Sequence, residues 1–298
     1  MSHEDPVLLL DGAVLKKLDS FYVGLDGSKI SKVAGEYGIY LSKKLKKPVI
    51  GVHIIDIRLL EGPFLSDIAG GLGFTVYGDL TAKIKEILDV KANAILDEFA
   101  VRCREKEGNC SIASAYGVVV DELVNMADPE DILIVGKKGE HESFVPLFLG
   151  STAEAVAKKA SCPVMITPTE FKEINSILLA FDGREKSVHA TVYVNHLAKT
   201  LKIDSIKVIS VFKDKVKDQQ LVETFKERLN SLIEVPYEFI DKYGLPEEML
   251  DEYINENKDN LGIVVMGAFG ESMIKELILG STTNYIVSRS PVPVLLVK

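Results

Sequence analysis

Two stretches of this chain, FYVGLDGS at 21–28 and ILLAFDGR at 177–184, are short apolar runs ending in Asp-Gly, and their aspartates, Asp26 and Asp182, stand 156 positions apart. The offset persists beyond them: Ser31 answers Ser187, Ala34 answers Ala190, Tyr37 answers Tyr193, Leu41 answers Leu197 and Leu45 answers Leu201. Further along, ILIVGKKG at 132–139 matches IVVMGAFG at 263–270. Each is followed by Leu-Gly-Ser-Thr and then by a Pro-Val run, CPVMIT at 162–167 and VPVLLV at 292–297. The same landmarks in the same order, met twice, mean a duplicated domain. The length of 298 residues agrees, at roughly 150 residues per domain. The expected division is 1–168 and 169–298. The later landmarks are only 131 positions apart, so the first half carries about 25 extra residues, around 59–83. That stretch holds Gly70 to Gly73, but no strand leads into it and it lacks the Lys-Ser/Thr of a phosphate loop. A flexible surface insertion is expected there.

Within each half, short apolar runs of three to seven residues alternate with helical periodicity. In the first half the runs lie at 22–25, 49–55, 112–115, 132–135 and 164–166, with helices expected at 31–45 and roughly 80–105. The second half repeats the pattern at 177–181, 206–212, 237–240 and 263–266. Alternating strand and helix predict right-handed crossovers and a parallel sheet covered on both faces. Each half therefore reads as an α/β, doubly wound unit of five strands in a Rossmann-like order 3-2-1-4-5. The last strands, 163–167 and 291–297, are apolar and would be bare sheet edges, which proteins protect by pairing.

Composition narrows the function. Hydrophobic residues make up 47% and charged residues 27%, and 35 basic residues against 44 acidic give a net charge of −9. An acidic chain repels phosphodiester polymers, so nucleic acid is not an expected partner. No apolar stretch approaches the roughly 20 residues of a membrane span, and the N-terminus lacks the basic start of a signal peptide, so a cytoplasmic protein with no membrane partner is expected. Cys103, Cys110 and Cys162 form no C-x-x-C pair and read as reduced thiols. The histidines show no ligand spacing, and no metal site of protein origin is expected.

In a sheet of order 3-2-1-4-5, ligands sit beyond the strand ends where the order reverses, between strands one and four. Those strands end in Asp-Gly and in G-x-x-G. Asp182 is thus set beside Gly267 and Gly270, and Asp26 beside Gly136 and Gly139. Gly280-Ser281-Thr282 and Gly150-Ser151-Thr152 open the following helices, whose free N–H groups suit a phosphate. A glycine after a strand can be a simple turn and a Ser-Thr pair a simple cap; the duplication of the whole arrangement favours a ligand site.

The spacing G-x-x-G, nine residues, Gly-Ser, met without a gap at Gly267, Gly270, Gly280 and Ser281, resembles the nucleotide-binding signature of the universal stress protein family. With the Asp-tipped first strand and the final Pro-Val strand, the resemblance covers nearly all of both halves. It implies two tandem adenine nucleotide alpha-hydrolase-like domains that bind ATP, or ADP or AMP, with Mg or Mn on the phosphates. By that resemblance Gly267 and Gly270 approach ribose and phosphate, and Gly280, Ser281 and Thr282 hold the phosphates. Asp182 faces the adenosine end, and the backbone near Val211 recognises adenine. The second site would use Asp26, Ile54, Gly136, Gly139, Gly150, Ser151 and Thr152. There the spacing runs to ten residues and includes Pro146, while Lys137 and Lys138 add charge or form a solvated loop. The family's habit of pairing through the last strand implies that the two halves pair with each other, and leaves open a further homodimer. No Walker-type lysine, no Ser-His-Asp set and no second carboxylate at the glycine loop is evident, so a stress-response regulatory or protective binder, with weak ATPase activity at most, is expected rather than a dedicated enzyme. A nucleotide-independent scaffold and a slow hydrolase or nucleotidyl transferase on the same fold are the alternatives.

Overall fold

The structure, a computed structural model, describes residues 18–61, 77–139, 149–268 and 280–298. The first half runs β1 (Phe21–Gly24), α1 (Lys29–Leu45), β2 (Val49–Asp56), α2 (Arg58–Glu61), α3 (Tyr77–Glu105), β3 (Cys110–Gly117), α4 (Val119–Met126), β4 (Ile132–Gly136), α5 (Ser151–Lys159) and β5 (Val164–Thr167). The second runs β6 (Ile177–Ala180), α6 (Glu185–Leu201), β7 (Ile206–Phe212), α7 (Gln219–Leu232), β8 (Tyr237–Tyr243), α8 (Pro246–Glu256), β9 (Ile263–Gly267), α9 (Ser281–Arg289) and β10 (Val294–Val297).

The ten strands of the described residues lie in one sheet, ordered β3-β2-β1-β4-β5-β10-β9-β6-β7-β8. Each half thus has the order 3-2-1-4-5. Pairing is parallel within each half, as the continuous apolar runs of β4 and β9 require of strands covered on both faces. The halves meet at β5 and β10, which are antiparallel with Leu295 opposite Met165. Two hydrophobic layers cover the sheet. One holds Tyr37, Phe99, Phe181 and Val194, the other Leu133, Val156, Ile254 and Ile286, so each layer draws on both halves.

Local sequence explains the matching helices. Ser28 caps α1 by accepting a hydrogen bond from the Ser31 N–H at 3.1 Å. At the far end Lys46 and, in the second half, Lys202 take the left-handed conformation, with φ of 54° and 57°, and turn the chain into the next strand. The segment joining β5 to β6 is fixed rather than loose. Phe171 packs on Tyr37 at 4.8 Å, the Lys172 N–H donates to the Tyr37 hydroxyl, and the Tyr40 hydroxyl donates to the Ile174 carbonyl.

The extra length of the first half is not all insertion. Residues 77–83 belong to α3, whose 29 residues face only 14 in α7. The Gly70 to Gly73 patch lies outside the described residues. The cysteines also differ from expectation: Cys103 and Cys110 form a disulfide, and only Cys162 is a free thiol. Seven residues apart in sequence, they are brought together because α3 ends and β3 begins side by side, an adjacency that a search for C-x-x-C spacing misses.

Candidate functional site

At the switch point of each half the first strand leads into a carboxylate and a glycine with positive φ. Gly27 has φ +88° and Gly183 has φ +75°, a region where a side chain is strained, so the turn after β1 and β6 requires glycine. The space beside each is filled by the long helix. A Cβ on Gly27 would lie 3.0 Å from Ile95 Cδ1 of α3, and one on Gly183 would lie 2.6 Å from the Phe225 ring of α7. The Asp26 carboxylate accepts from the Ser28 N–H at 2.9 Å, and the Asp182 carboxylate accepts from the Arg184 N–H at 3.0 Å. Asp182 is exposed and ion-paired to Arg184 at 3.7 Å, whereas Asp26 is half-buried.

The fourth strand comes to the same place. A Cβ on Gly139 would stand 3.2 Å from Asp26 Oδ2, so the carboxylate and the glycine loop face each other across the first crevice. Gly136 and Gly267 lie against the first turns of α1 and α6. A Cβ there would reach 2.7 Å from Ile30 Cγ2 and 2.8 Å from Lys186 Cβ respectively, so these two glycines serve helix–strand packing. Gly270 lies outside the described residues, as do His141 and Pro146.

Gly150 and Gly280 are the N-caps of α5 and α9, with carbonyls accepting from the N–H groups of Glu154 and Asn284 at 2.9 Å each. Their φ values, −64° and −54°, are open to any residue, so these glycines are not required by backbone conformation. As glycines they bring no side chain of their own to cap the helix start. The Gly150 N–H donates to the Lys137 carbonyl at 2.8 Å, which draws the start of α5 to the end of β4. Ser151 and Ser281 are exposed at these helix starts, with Thr152 and Thr282 partly covered. Lys137 is not a solvated loop residue: it is half-buried, and burial, followed by the neighbouring Lys138 charge, lowers its pKa below the usual lysine range. Ile54 and Val211 occupy matching positions near the ends of β2 and β7, with Ile54 buried and Val211 half-buried.

Three features escape a linear reading. Glu247, in the first turn of α8, accepts a hydrogen bond from the Thr282 hydroxyl at 3.3 Å, placing a carboxylate at the second helix start from 35 residues away. His53 Nδ1 lies 2.6 Å from the Leu25 carbonyl, while in the second half the Ser210 hydroxyl donates to the Phe181 carbonyl at 2.7 Å. The residue before each aspartate is thus gripped by different chemistry in the two crevices. The Arg228 guanidinium donates to the Gly183 carbonyl at 2.6 Å, tying α7 to the second turn. Among the described residues no group of three His, Cys, Asp or Glu side chains could hold a metal ion, and no helix is long and apolar enough to cross a membrane.

The fold defines a tandem doubly wound α/β protein with one switch point in each half. The family model described as the universal stress protein family matches residues 18–168 and again 173–298, and the chain belongs to that family. It is 25% identical over 285 residues to Universal stress protein Slr1230 of Synechocystis, a match that spans 91% of this chain and 96% of the relative. Universal stress protein MJ0531 of Methanocaldococcus jannaschii is 27% identical over 150 residues, covering 50% of this chain and 81% of that protein. Among solved structures, a universal stress protein from Archaeoglobus fulgidus superimposes with a TM-score of 0.71 over 95% of this chain and 99% of its own, at 20% identity, and so shares the whole two-part fold.

Proposed function

We propose that this tandem universal stress protein is a regulatory or protective binder of an adenine nucleotide, ATP or its di- or monophosphate. Its two units divide near residue 168, and the second crevice is the principal site. What supports this reading is that β6 and β9, neighbours in the sheet, lead respectively into an Asp-Gly turn that glycine suits and toward a helix start of sequence Gly-Ser-Thr. The first-turn N–H groups of a helix and the positive end of its dipole favour phosphate there. Asp182 is suited to the ribose and adenosine end, and the backbone of Val211 to adenine. Gly267, Gly270, Gly280, Ser281 and Thr282 form the phosphate side.

Glu247 beside Thr282 and a net charge of −9 both oppose a bare triphosphate, so Mg or Mn is expected to travel with the nucleotide. The first crevice, with Asp26, Ile54, Gly136, Gly139, Gly150, Ser151 and Thr152, is the secondary site, and its half-buried Lys137 supplies charge near the loop.

Calorimetric titration with ATP and magnesium tests this. Gly280→Val should abolish measurable binding by filling the space above the helix start, since its backbone conformation is accessible to valine. Ser281→Ala should weaken binding by about 0.5–1.5 kcal/mol, the usual net worth of one hydrogen bond. Gly150→Val should matter less. A Gly280→Val variant that binds as the wild type does would overturn the assignment.

A further inference from the structure

We propose that Cys103 and Cys110 are a reversible thiol–disulfide site at which Cys110 receives a low-molecular-weight disulfide from solution and Cys103 resolves it, fastening the last turn of α3 to the start of β3 in the oxidised protein and releasing it in the reduced one. The pair bridges two elements at the rim of the sheet: among the described strands β3 lies at the edge, paired to β2. Its first residue, Cys110, lies 6.3 Å from Cys103, Cα to Cα, within the span a disulfide bridges. Access separates the two sulfurs. Cys103 is completely buried, with the chain folded over it at Gly108, where a Cβ would stand 2.6 Å from Cys103 Sγ. Cys110 retains partial exposure. Only Cys110 can meet a reagent first.

The second half supplies a comparison within the same molecule. There too a residue in the last turn of the long helix is tied to the first residue of the edge strand seven positions later: the Tyr237 hydroxyl donates to Asn230 Oδ1 at 2.7 Å. The two halves thus join the same elements at the same separation, one by a bond that responds to thiols and one by a bond that does not. The consequence reaches inward along α3. One turn before Cys103, Phe99 fills the space over Gly35 and Gly51, and one turn further Ile95 backs Gly27 at the first crevice. The pair anchors the helix that shapes that opening.

The chemistry balances with a symmetrical disulfide RSSR as oxidant. The Cys110 thiolate attacks one sulfur of RSSR, forming a mixed disulfide and expelling RS⁻. The Cys103 thiolate then attacks Cys110 Sγ, forms the protein disulfide and expels the second RS⁻. Two protein thiols lose two electrons and two protons, and RSSR becomes two RSH. Excess RSH reverses both steps.

The test uses the full chain equilibrated in graded mixtures of oxidised and reduced glutathione, quenched by alkylation and mapped by peptide mass. An intramolecular Cys103–Cys110 link should form and vanish with the ratio. Cys103→Ser should stop at a mixed disulfide on Cys110, whereas Cys110→Ser should acquire its adduct on buried Cys103 at least about tenfold more slowly. On reduction of the wild type, amide hydrogen exchange should quicken across 100–113 and stay unchanged across 227–240. Absence of the link at every ratio, a link between chains, or equal adduct rates in the two variants would overturn the site. Unchanged exchange at 100–113 would overturn the fastening. The wild-type series stands alone if either variant fails to fold.

Discussion

The thiol of Cys162 is fully enclosed before β5, and burial raises its pKa from the ordinary 9.0 to about 11. A group whose folded pKa lies above its unfolded one contributes stability that is complete below pH 9 and disappears as pH rises through 11. The stability advantage of the wild type over Cys162→Ala should therefore shrink between pH 9 and 11, as read from denaturant midpoints of both proteins. Native Cys162 should also resist iodoacetamide at pH 8 and react once the chain unfolds; modification of the native protein, or a midpoint difference independent of pH, would count against it. At this scale the sequence was readable where a rule of topology applied. The reversal between strands one and four predicts that Asp26 faces Gly139, and the structure brings them together. Glu247 was not readable, because its role depends on where α8 docks, and nothing near Pro246 marks that contact.

Elements were legible in proportion to their burial. The runs at β1, β4 and β9 are apolar throughout because both faces are covered, and their expected bounds lie within about a residue of those found. The edge strand β3 spans Cys110–Gly117, whereas the apolar signal covers only 112–115, since exposed Ser111 precedes that run and Tyr116, also exposed, is followed by glycine. The helices α4 and α8, of eight and eleven residues, are amphipathic but too short for a periodic run to stand out between their flanking strands. At the seam, every residue of β5 and β10 is buried, and Leu295 is 1% exposed opposite Met165. Leu295→Lys would enclose an unpaired ammonium or distort the strand, at a cost on the order of 3 kcal/mol. The variant should show a lower melting temperature and faster proteolysis within 168–176, the segment beside the seam. Unchanged melting and unchanged digestion would show that the seam bears little of the stability.

As a whole molecule, the chain achieves in one polypeptide what two separate five-stranded units would need an interface to achieve. Its ten strands are continuous and both hydrophobic layers cross the seam, so neither half has a complete cover for its fifth strand alone. The sequence made the duplication plain but could not give the seam's register, which follows from matching Met165 to Leu295 in space. If the seam supplies the missing edge partner, residues 18–168 produced alone should not persist as a monomer. Its bare apolar strand, Val164–Thr167, would pair antiparallel with that of a second copy, a homodimer reproducing the geometry of β5 and β10. Sedimentation should give twice the mass of the fragment across the micromolar range, and Met165→Lys in the fragment should dissociate it or leave it unfolded. Adding the separate fragment 169–298 should draw both into a one-to-one complex, because the native partner strand carries the matching side chains. A fragment that is monomeric, folded and as stable as the full chain would mean that the seam joins two self-sufficient domains rather than completing either.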